Sequence, residues 1–386
     1  MSSYQVLLLD SSFAIQKGGQ SVLKRHAEYA AELEYKSQGR LELILLCTSS
    51  NAKILDEFDQ DLLRIVPLRA GSRSTYFLDS VRYIIKNRSE IGLIIAGDVW
   101  ISGLNAIIST IRFRNRIPVQ YQVHADIGAP GWKFFNYRHF IKFYMGVSVL
   151  KYARFVRVVS KTQGLNLMKY LSKKTEVVTV PIQTKMRAAV DKKVNRQTNA
   201  KTVIGFLGRI ESDRGLDNLL RLLEKIGSEL ADYQLIIAGN GRDEDWLKSE
   251  LMKLSENFEV VFCGHLQGAD LDYFFEEIDI LFSLAPFESY GRVARESIAL
   301  GIPVLATRSS GMIDLLEDSP PNAVTIIDSE ITGDTLVSLL RGAKSLREQG
   351  FASNVESISS VSQLSIVDTW INYISANSSL IKVKDA

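Results

Sequence analysis

Only two cysteines, Cys47 and Cys263, occur in 386 residues, far apart and each inside an apolar stretch. A disulfide framework and a Cys/His zinc site are excluded as organising principles, and two buried, reduced thiols are expected. No run reaches the roughly 18 uninterrupted apolar residues that a membrane span needs. The opening MSSYQVLLLD carries too short an apolar run, and no basic lead, for a secretory signal, so a cytoplasmic protein is expected. A complete GxGxxG with a downstream acid is missing, as are short-period repeats and low-complexity segments. Four histidines and no metal-ligand spacing leave little for a metal centre.

What is present is an ordinary globular composition, 46% hydrophobic and 23% charged, in a chain long enough for two domains. The net charge of +2 conceals an asymmetry. Residues 1–200 hold 30 Lys+Arg against 15 Asp+Glu, and the remainder holds 16 against 29. A basic half suggests an anionic partner: a lipid headgroup, a diphosphate or a nucleic acid.

Short β-branched or Leu-rich runs recur at 4–9, 41–46, 63–67, 91–96, 119–124, 155–160 and 177–180. Most are apolar throughout, as parallel strands buried on both faces are. Amphipathic segments such as 21–35 and 76–87 lie between them. The rhythm breaks over 183–201, a polar linker, and restarts with runs at 203–207, 233–238, 259–262, 278–283, 304–306 and 324–327. Helices are predicted over 216–226, 244–254, 271–276 and 292–300. Repeated βα units give an α/β fold of two doubly wound Rossmann-like domains, with a ligand cleft at the carboxyl ends of the strands. The division is 1–182, the linker 183–201, 202–360, and a final helix in 361–386 that carries Trp370 and can pack on either domain.

The chemistry collects at strand ends of the second half. In FSLAPFESYGRVARESIALG, Gly291 opens a helix that Gly301 and Pro303 end. The amides of Gly291, Arg292 and Val293 are orphan donors of that helix start, an anion site before any side chain acts. Glu288 in the loop and Glu296 on the helix read either as carboxylates gripping hydroxyls at the two ends of a diphosphate ligand, or as a loop and a solvated helix Glu. Upstream, Gly208-Arg209 and Asp213-Arg214-Gly215 put two guanidiniums at a strand exit, where they suit phosphate oxygens. Ala238-Gly239-Asn240-Gly241 is a further glycine-rich turn.

The order FLGRIESDRGLDNLL, LIIAGNGRDEDWL, VVFCGHL, FESYGRVARESIALGIPVLAT resembles the GT4-type family of retaining GT-B glycosyltransferases, over nearly all of 201–330. The spacing of Glu288 and Glu296 before Gly-Ile-Pro-Val is its most specific mark. The resemblance implies that Arg209 and Arg214 neutralise the diphosphate of a nucleotide-sugar donor, although the family usually has lysine at the latter position. It implies that Glu288 contacts the transferred sugar, that Glu296 holds the ribose diol and that Gly291 to Val293 offer amides to sugar and phosphate. The base would lie against the loop ending at Leu266, with His265 a surface residue. In the first half, Gly18 and Gly19 resemble the family's glycine-rich loop, and equally an ordinary βα turn. His124 resembles its strand-end histidine, with a sugar-contact or proton-handling role, and equally a structural residue. His26 and His139 are expected at the surface.

The resemblance further implies transfer to a glycan or lipid-linked acceptor, in cell-surface polysaccharide or glycolipid synthesis, with retention. Neither a cofactor nor an essential metal is expected, since Asp243 and Asp245 open a helix. Residues 131–159 interleave aromatics with Lys and Arg, which suits a helix lying on an anionic membrane at its inner face, or a helix covering the first sheet with snorkelling cations. Nucleic acid lacks a recognition motif. Another GT-B enzyme, a phosphorylase or epimerase, and a catalytically silent binding subunit are the alternatives. Release of a nucleoside diphosphate from a sugar nucleotide discriminates them.

Overall fold

The computed structural model describes residues 4–11, 20–48, 63–68, 73–111, 117–182, 184, 201–254, 258–351 and 365–377. Gly18, Gly19 and nearly all of the linker 183–201 lie outside the described residues. Two compact units are present: Met1–Pro181 with Ser362–Ala386, and Ile182–Val361.

In the first unit, strands β1 (Tyr4–Asp10), β2 (Leu41–Thr48), β3 (Leu63–Leu68), β4 (Ile91–Ala96), β5 (Val119–Val123), β6 (Phe155–Val158) and β7 (Glu176–Thr179) form one parallel sheet ordered 3-2-1-4-5-6-7. β1 lies between β2 and β4, with Val6 level with Leu43 on one side and Leu93 on the other. Four successive residues, Val6 to Leu9, are buried, because helices cover both faces. The helix Ser365–Asn377 joins this unit, placing Ile366, Val367, Trp370, Tyr373 and Ile374 in the core beside Val6, Leu23, Leu43 and Phe155. Trp370 Nε1 donates to Gln120 Oε1 at 2.8 Å, and Tyr373 stacks on Phe155 at 3.7 Å between ring centroids.

The second unit repeats the plan with β8 (Thr202–Leu207), β9 (Tyr233–Ala238), β10 (Glu259–Gly264), β11 (Ile280–Ser283), β12 (Val304–Thr307) and β13 (Val324–Ile327), ordered 10-9-8-11-12-13 and parallel. Alternate residues enter opposite cores. Ile204, Phe206, Leu235 and Ile237 face the helices Leu216–Ile226 and Gly333–Gln349, whereas Val203 and Ala238 pack with Phe274, Ile298 and Met312. The fold is therefore α/β with two doubly wound sheets, as the recurring apolar runs predict.

Several local expectations are corrected. Cys47 is buried, but Cys263 is exposed: β10 ends the sheet, and its outward parity, Glu259, Val261 and Cys263, is uncovered. Residues 131–159 are not one helix but a 3-10 turn (Trp132–Phe134), the helix Tyr137–Leu150 and strand β6. His139 is partnered, by Asn136 Oδ1 at 2.9 Å and the rings of Trp132 and Phe135.

His26 is buried rather than superficial. It falls on the helix face that carries Leu23, Ala30 and Leu33 into the core, against Tyr29. Burial, reinforced by Arg25, lowers its imidazole pKa from 6.5 to about 3. The unfolded chain therefore takes up this proton first as pH falls from about 6.5 towards 3, and stability must decline across that window. The slope from this one group reaches about 1.4 kcal/mol per pH unit. Chemical denaturation of wild type and His26→Gln should give a stability difference that moves in the variant's favour on acidification; a pH-independent difference would contradict the assignment.

Candidate active site

All strands of the second sheet are parallel, so their carboxyl ends share one edge. From β8 the chain runs one way to β9 and β10 and then crosses back to β11 on the other side of β8, which makes the crevice between β8 and β11 the switch point where doubly wound sheets bind ligands. The loops after these two strands carry the residues singled out by sequence.

After β8, Gly208 and Arg209 lead into a 3-10 turn, Ser212–Arg214, and then the helix Leu216–Ile226. Asp243 fixes this loop from the next strand end, its Oδ2 accepting the Ser212 N–H at 2.8 Å. That engagement, with Arg242 Nε 3.7 Å from Oδ1, accounts for one carboxylate of the Asp243/Asp245 pair. Gly215, at φ 83, turns the chain into the helix. The Asn218 amide donates to the Leu284 carbonyl at 3.0 Å and so ties the loop to the end of β11.

After β11, Glu288 organises the second loop. Its Oε1 accepts the Gly291 N–H at 3.0 Å and the Tyr290 N–H at 3.4 Å, and its Oε2 lies 3.3 Å from Arg214 Nη1. The switch point thus brings together Arg214, Glu288 and the helix start at Gly291. Arg214 Nε is buried with no acceptor among the described residues. A buried cationic donor left unsatisfied is costly, and an anionic oxygen is what would relieve it.

The three orphan amides need one correction. Gly291 N–H is already taken by Glu288, so the helix Arg292–Ala299 offers the Arg292 and Val293 amides. Gly291 itself adopts φ 77 with Met312 packed against its Cα, which only glycine tolerates easily. Glu296, expected as a ligand or a solvated residue, is mostly buried, with Arg292 Nε 3.6 Å from Oε1. Arg209 is not drawn to Glu288; its guanidinium pairs with Glu211 and, at 3.5 Å, Asp213. Leu266 is half-buried against the core that contains Ala294 and Ile298, and His265 is exposed beside Gln267.

Two supports escaped sequence reasoning. Buried Arg295 donates to the Tyr290 carbonyl at 3.2 Å, its guanidinium 4.4 Å from the Tyr290 ring centroid, and braces the Glu288 loop from behind. The helix Ser310–Asp318 begins against the same loop, the Gly311 N–H donating to the Glu288 carbonyl at 2.8 Å. The Ser-Ser-Gly that follows β12 was the available signal for that helix start.

His124 belongs to the first unit, at the end of β5. Gln163 pins the strand end: its Nε2 donates to the carbonyls of Val123 and Ala125, at 3.2 and 3.1 Å. The His124 ring reaches solvent, with Nε2 3.3 Å from Gln122 Oε1. It is nevertheless hemmed in by protein, and this crowding, with Arg157 and Arg25 adding to it, holds its pKa below the ordinary value. The direction favours a neutral imidazole, able to accept or donate one hydrogen bond at each nitrogen.

The chain is similar to known proteins both in sequence and in fold. The family profile described as glycosyl transferases group 1 matches residues 188–331. A GDP-mannose-dependent alpha-mannosyltransferase of Corynebacterium glutamicum is 31% identical over 121 residues, 31% of this chain and 27% of that protein. The capsular polysaccharide biosynthesis glycosyltransferase CapM of Staphylococcus aureus is 29% identical over 126 residues, 32% of this chain and 33% of that one. The matched segment thus spans no more than about a third of these relatives. Whole-chain likeness appears in structure: HepE of Anabaena, solved with UDP-glucose, superposes with a TM-score of 0.67 at 17% identity, covering 96% of this chain and 99% of that one. Sucrose-phosphate synthase of Thermosynechococcus elongatus gives 0.65 at 16% identity, covering 97% and 100%. Residues 188–331 thus match the glycosyl transferases group 1 family, in keeping with the GT4-type motif order, and the whole chain shares the two-sheet GT-B fold of these solved structures.

Proposed function

We propose that the chain transfers a sugar from a nucleotide-sugar donor to a glycan or lipid-linked acceptor in cell-surface polysaccharide or glycolipid synthesis. It would act with retention of anomeric configuration, at the cytoplasmic face of a membrane. The observation that carries the reading is Arg214, held at the switch point by Glu288 with its Nε unsatisfied, beside the Arg292 and Val293 amides.

In transfer, the bond between the anomeric carbon and the diphosphate oxygen breaks and negative charge grows on the leaving group. Fixed donors aimed at that charge lower the barrier. Arg214 and the two amides would supply such donors, and Arg209 would swing from its acidic neighbours to join them. Glu288, engaged by Arg214 and two backbone amides, is fitted to accept sugar hydroxyls rather than to attack carbon. The acceptor hydroxyl oxygen then bonds to the anomeric carbon while its proton passes to the departing diphosphate, which leaves as the nucleoside diphosphate. Neutral His124, at a strand end of the first unit, is assigned to sugar contact or proton handling. The similar proteins, a GDP-mannose-dependent mannosyltransferase, a capsular polysaccharide glycosyltransferase and HepE in complex with UDP-glucose, support this class of donor and product.

A thermal-shift screen of sugar nucleotides tests the donor site. A true donor at roughly 100 times its dissociation constant should add about 2.7 kcal/mol. Glu296→Gln should weaken that donor by about tenfold to a hundredfold, since the ribose diol loses a charged acceptor. Unchanged affinity in the variant would remove Glu296 from the site.

A further inference from the structure

The helix Tyr137–Leu150 has two apolar faces, and only one is covered. Phe143, Gly146, Val147 and Leu150 are buried, and the Gly146 Cα lies so close to Val99 and Ile127 that this face is fixed inward. On the other side, Tyr137 (69% exposed), Phe140 (46%), Ile141 (54%), Tyr144 (50%) and Met145 follow one another at helical spacing and stand in solvent. Phe134, 73% exposed, precedes them on the 3-10 turn. A second short helix, Lys161–Met168, bares Leu165 and Met168, and just beyond its end Tyr170 meets Phe143 edge-on at 5.1 Å. Exposed apolar residues in such a run are not the norm for a free surface.

The stretch of sequence that carries this patch has charge of one sign. From residue 127 to residue 175 the sequence contains no Asp or Glu, but ten Lys or Arg. Arg157 is buried; the other nine are exposed or half-buried. Several lie over the rings themselves. Lys133 Nζ is 4.7 Å from the Phe134 centroid, Arg138 is 5.6 Å from Tyr137, and Lys142 is 5.0 Å from Trp100. Cations held at the rim of an aromatic surface can keep their charge among headgroups while the rings enter the apolar boundary.

We infer that this face of the first unit is a docking surface for an anionic phospholipid bilayer, with Phe134, Phe140, Ile141 and Tyr144 inserting and Lys133, Arg138 and Lys142 meeting headgroup phosphates. The inference rests on the membrane-linked acceptor proposed above and assigns it a surface. A second copy of the chain is a poor occupant, because a two-fold contact would set these like charges against one another. A nucleic-acid backbone would meet the cations but leave Ile141 and Met145 without a counterpart. A bilayer interface satisfies both.

Vesicle sedimentation of the full chain decides the matter. The chain should pellet with phosphatidylcholine vesicles containing phosphatidylglycerol, far less with phosphatidylcholine alone, and lose binding in high salt, because screening shortens to about 3 Å at 1 M. Arg138→Glu with Lys142→Glu, and separately Phe140→Ser with Tyr144→Ser, should each weaken binding by about tenfold or more. Both variants should keep the wild-type melting curve and the wild-type release of nucleoside diphosphate from a soluble sugar nucleotide. No sedimentation, equal binding to neutral vesicles, or variants that bind like wild type would overturn the surface. So would a concentration-dependent dimer that the Phe140/Tyr144 variant dissolves. A chain that releases nucleoside diphosphate but ignores vesicles refutes the docking alone; one that binds vesicles by this face but releases none refutes the transferase reading alone.

Discussion

Replacing both arginines of the β8 loop, Arg209→Ala with Arg214→Ala, is expected to reduce turnover by at least about a hundredfold while the protein stays folded. Each charged hydrogen bond to the leaving group is worth roughly 1.5–3 kcal/mol, and about 1.4 kcal/mol is tenfold in rate. Both side chains are partly solvent-exposed, so their removal leaves no cavity in either core. Arg214 should account for the larger share, since its Nε is already buried and lacks an acceptor among the described residues, whereas Arg209 must leave Glu211 and Asp213. Arg214→Lys should recover part of the loss, for a lysine keeps the charge but not the fork. Single-turnover assays with circular dichroism check this; activity within tenfold of wild type would place the diphosphate elsewhere.

The second large effect concerns backbone. Gly215 lies at φ 83, and a Cβ there would stand 2.0 Å from the Leu284 carbonyl oxygen, which is backbone and cannot rotate away. Left-handed strain of about 1–2 kcal/mol adds to an overpacking cost of about 1–3 kcal/mol. Gly215→Ala should therefore lower the melting temperature by on the order of 10 °C. It should also weaken nucleotide binding, because forcing β8 and β11 apart at their carboxyl ends pulls Arg214 from Glu288. A variant that melts and binds like wild type would show that the two loops are not locked together.

The fold was legible because both sheets are buried on both faces, so each strand prints as an uninterrupted apolar run. The pairing of Glu288 with Glu296 was legible as a motif. That Glu288 would turn back onto the Gly291 amide was not, since it depends on a loop conformation that spacing leaves open. Gln163 escaped for a related reason: its amide bonds to carbonyls about forty residues away, across neighbouring strand ends. His26 could have been found, for it continues the apolar face set by Leu23, Ala30 and Leu33, and a polar residue on such a face signals burial as much as error. Cys263 was misplaced because strand order, not composition, decides which strand ends a sheet and exposes alternate residues.

Incubation of the full chain with a panel of sugar nucleotides, reading release of nucleoside diphosphate, tests the central claim most directly. At least one sugar nucleotide should give release, slowly with water and faster once a glycan or lipid-linked acceptor is added, and Arg209→Ala with Arg214→Ala should abolish it. Binding of a sugar nucleotide at the switch point with no release under any acceptor would contradict the assignment and mark the chain as a silent binding subunit.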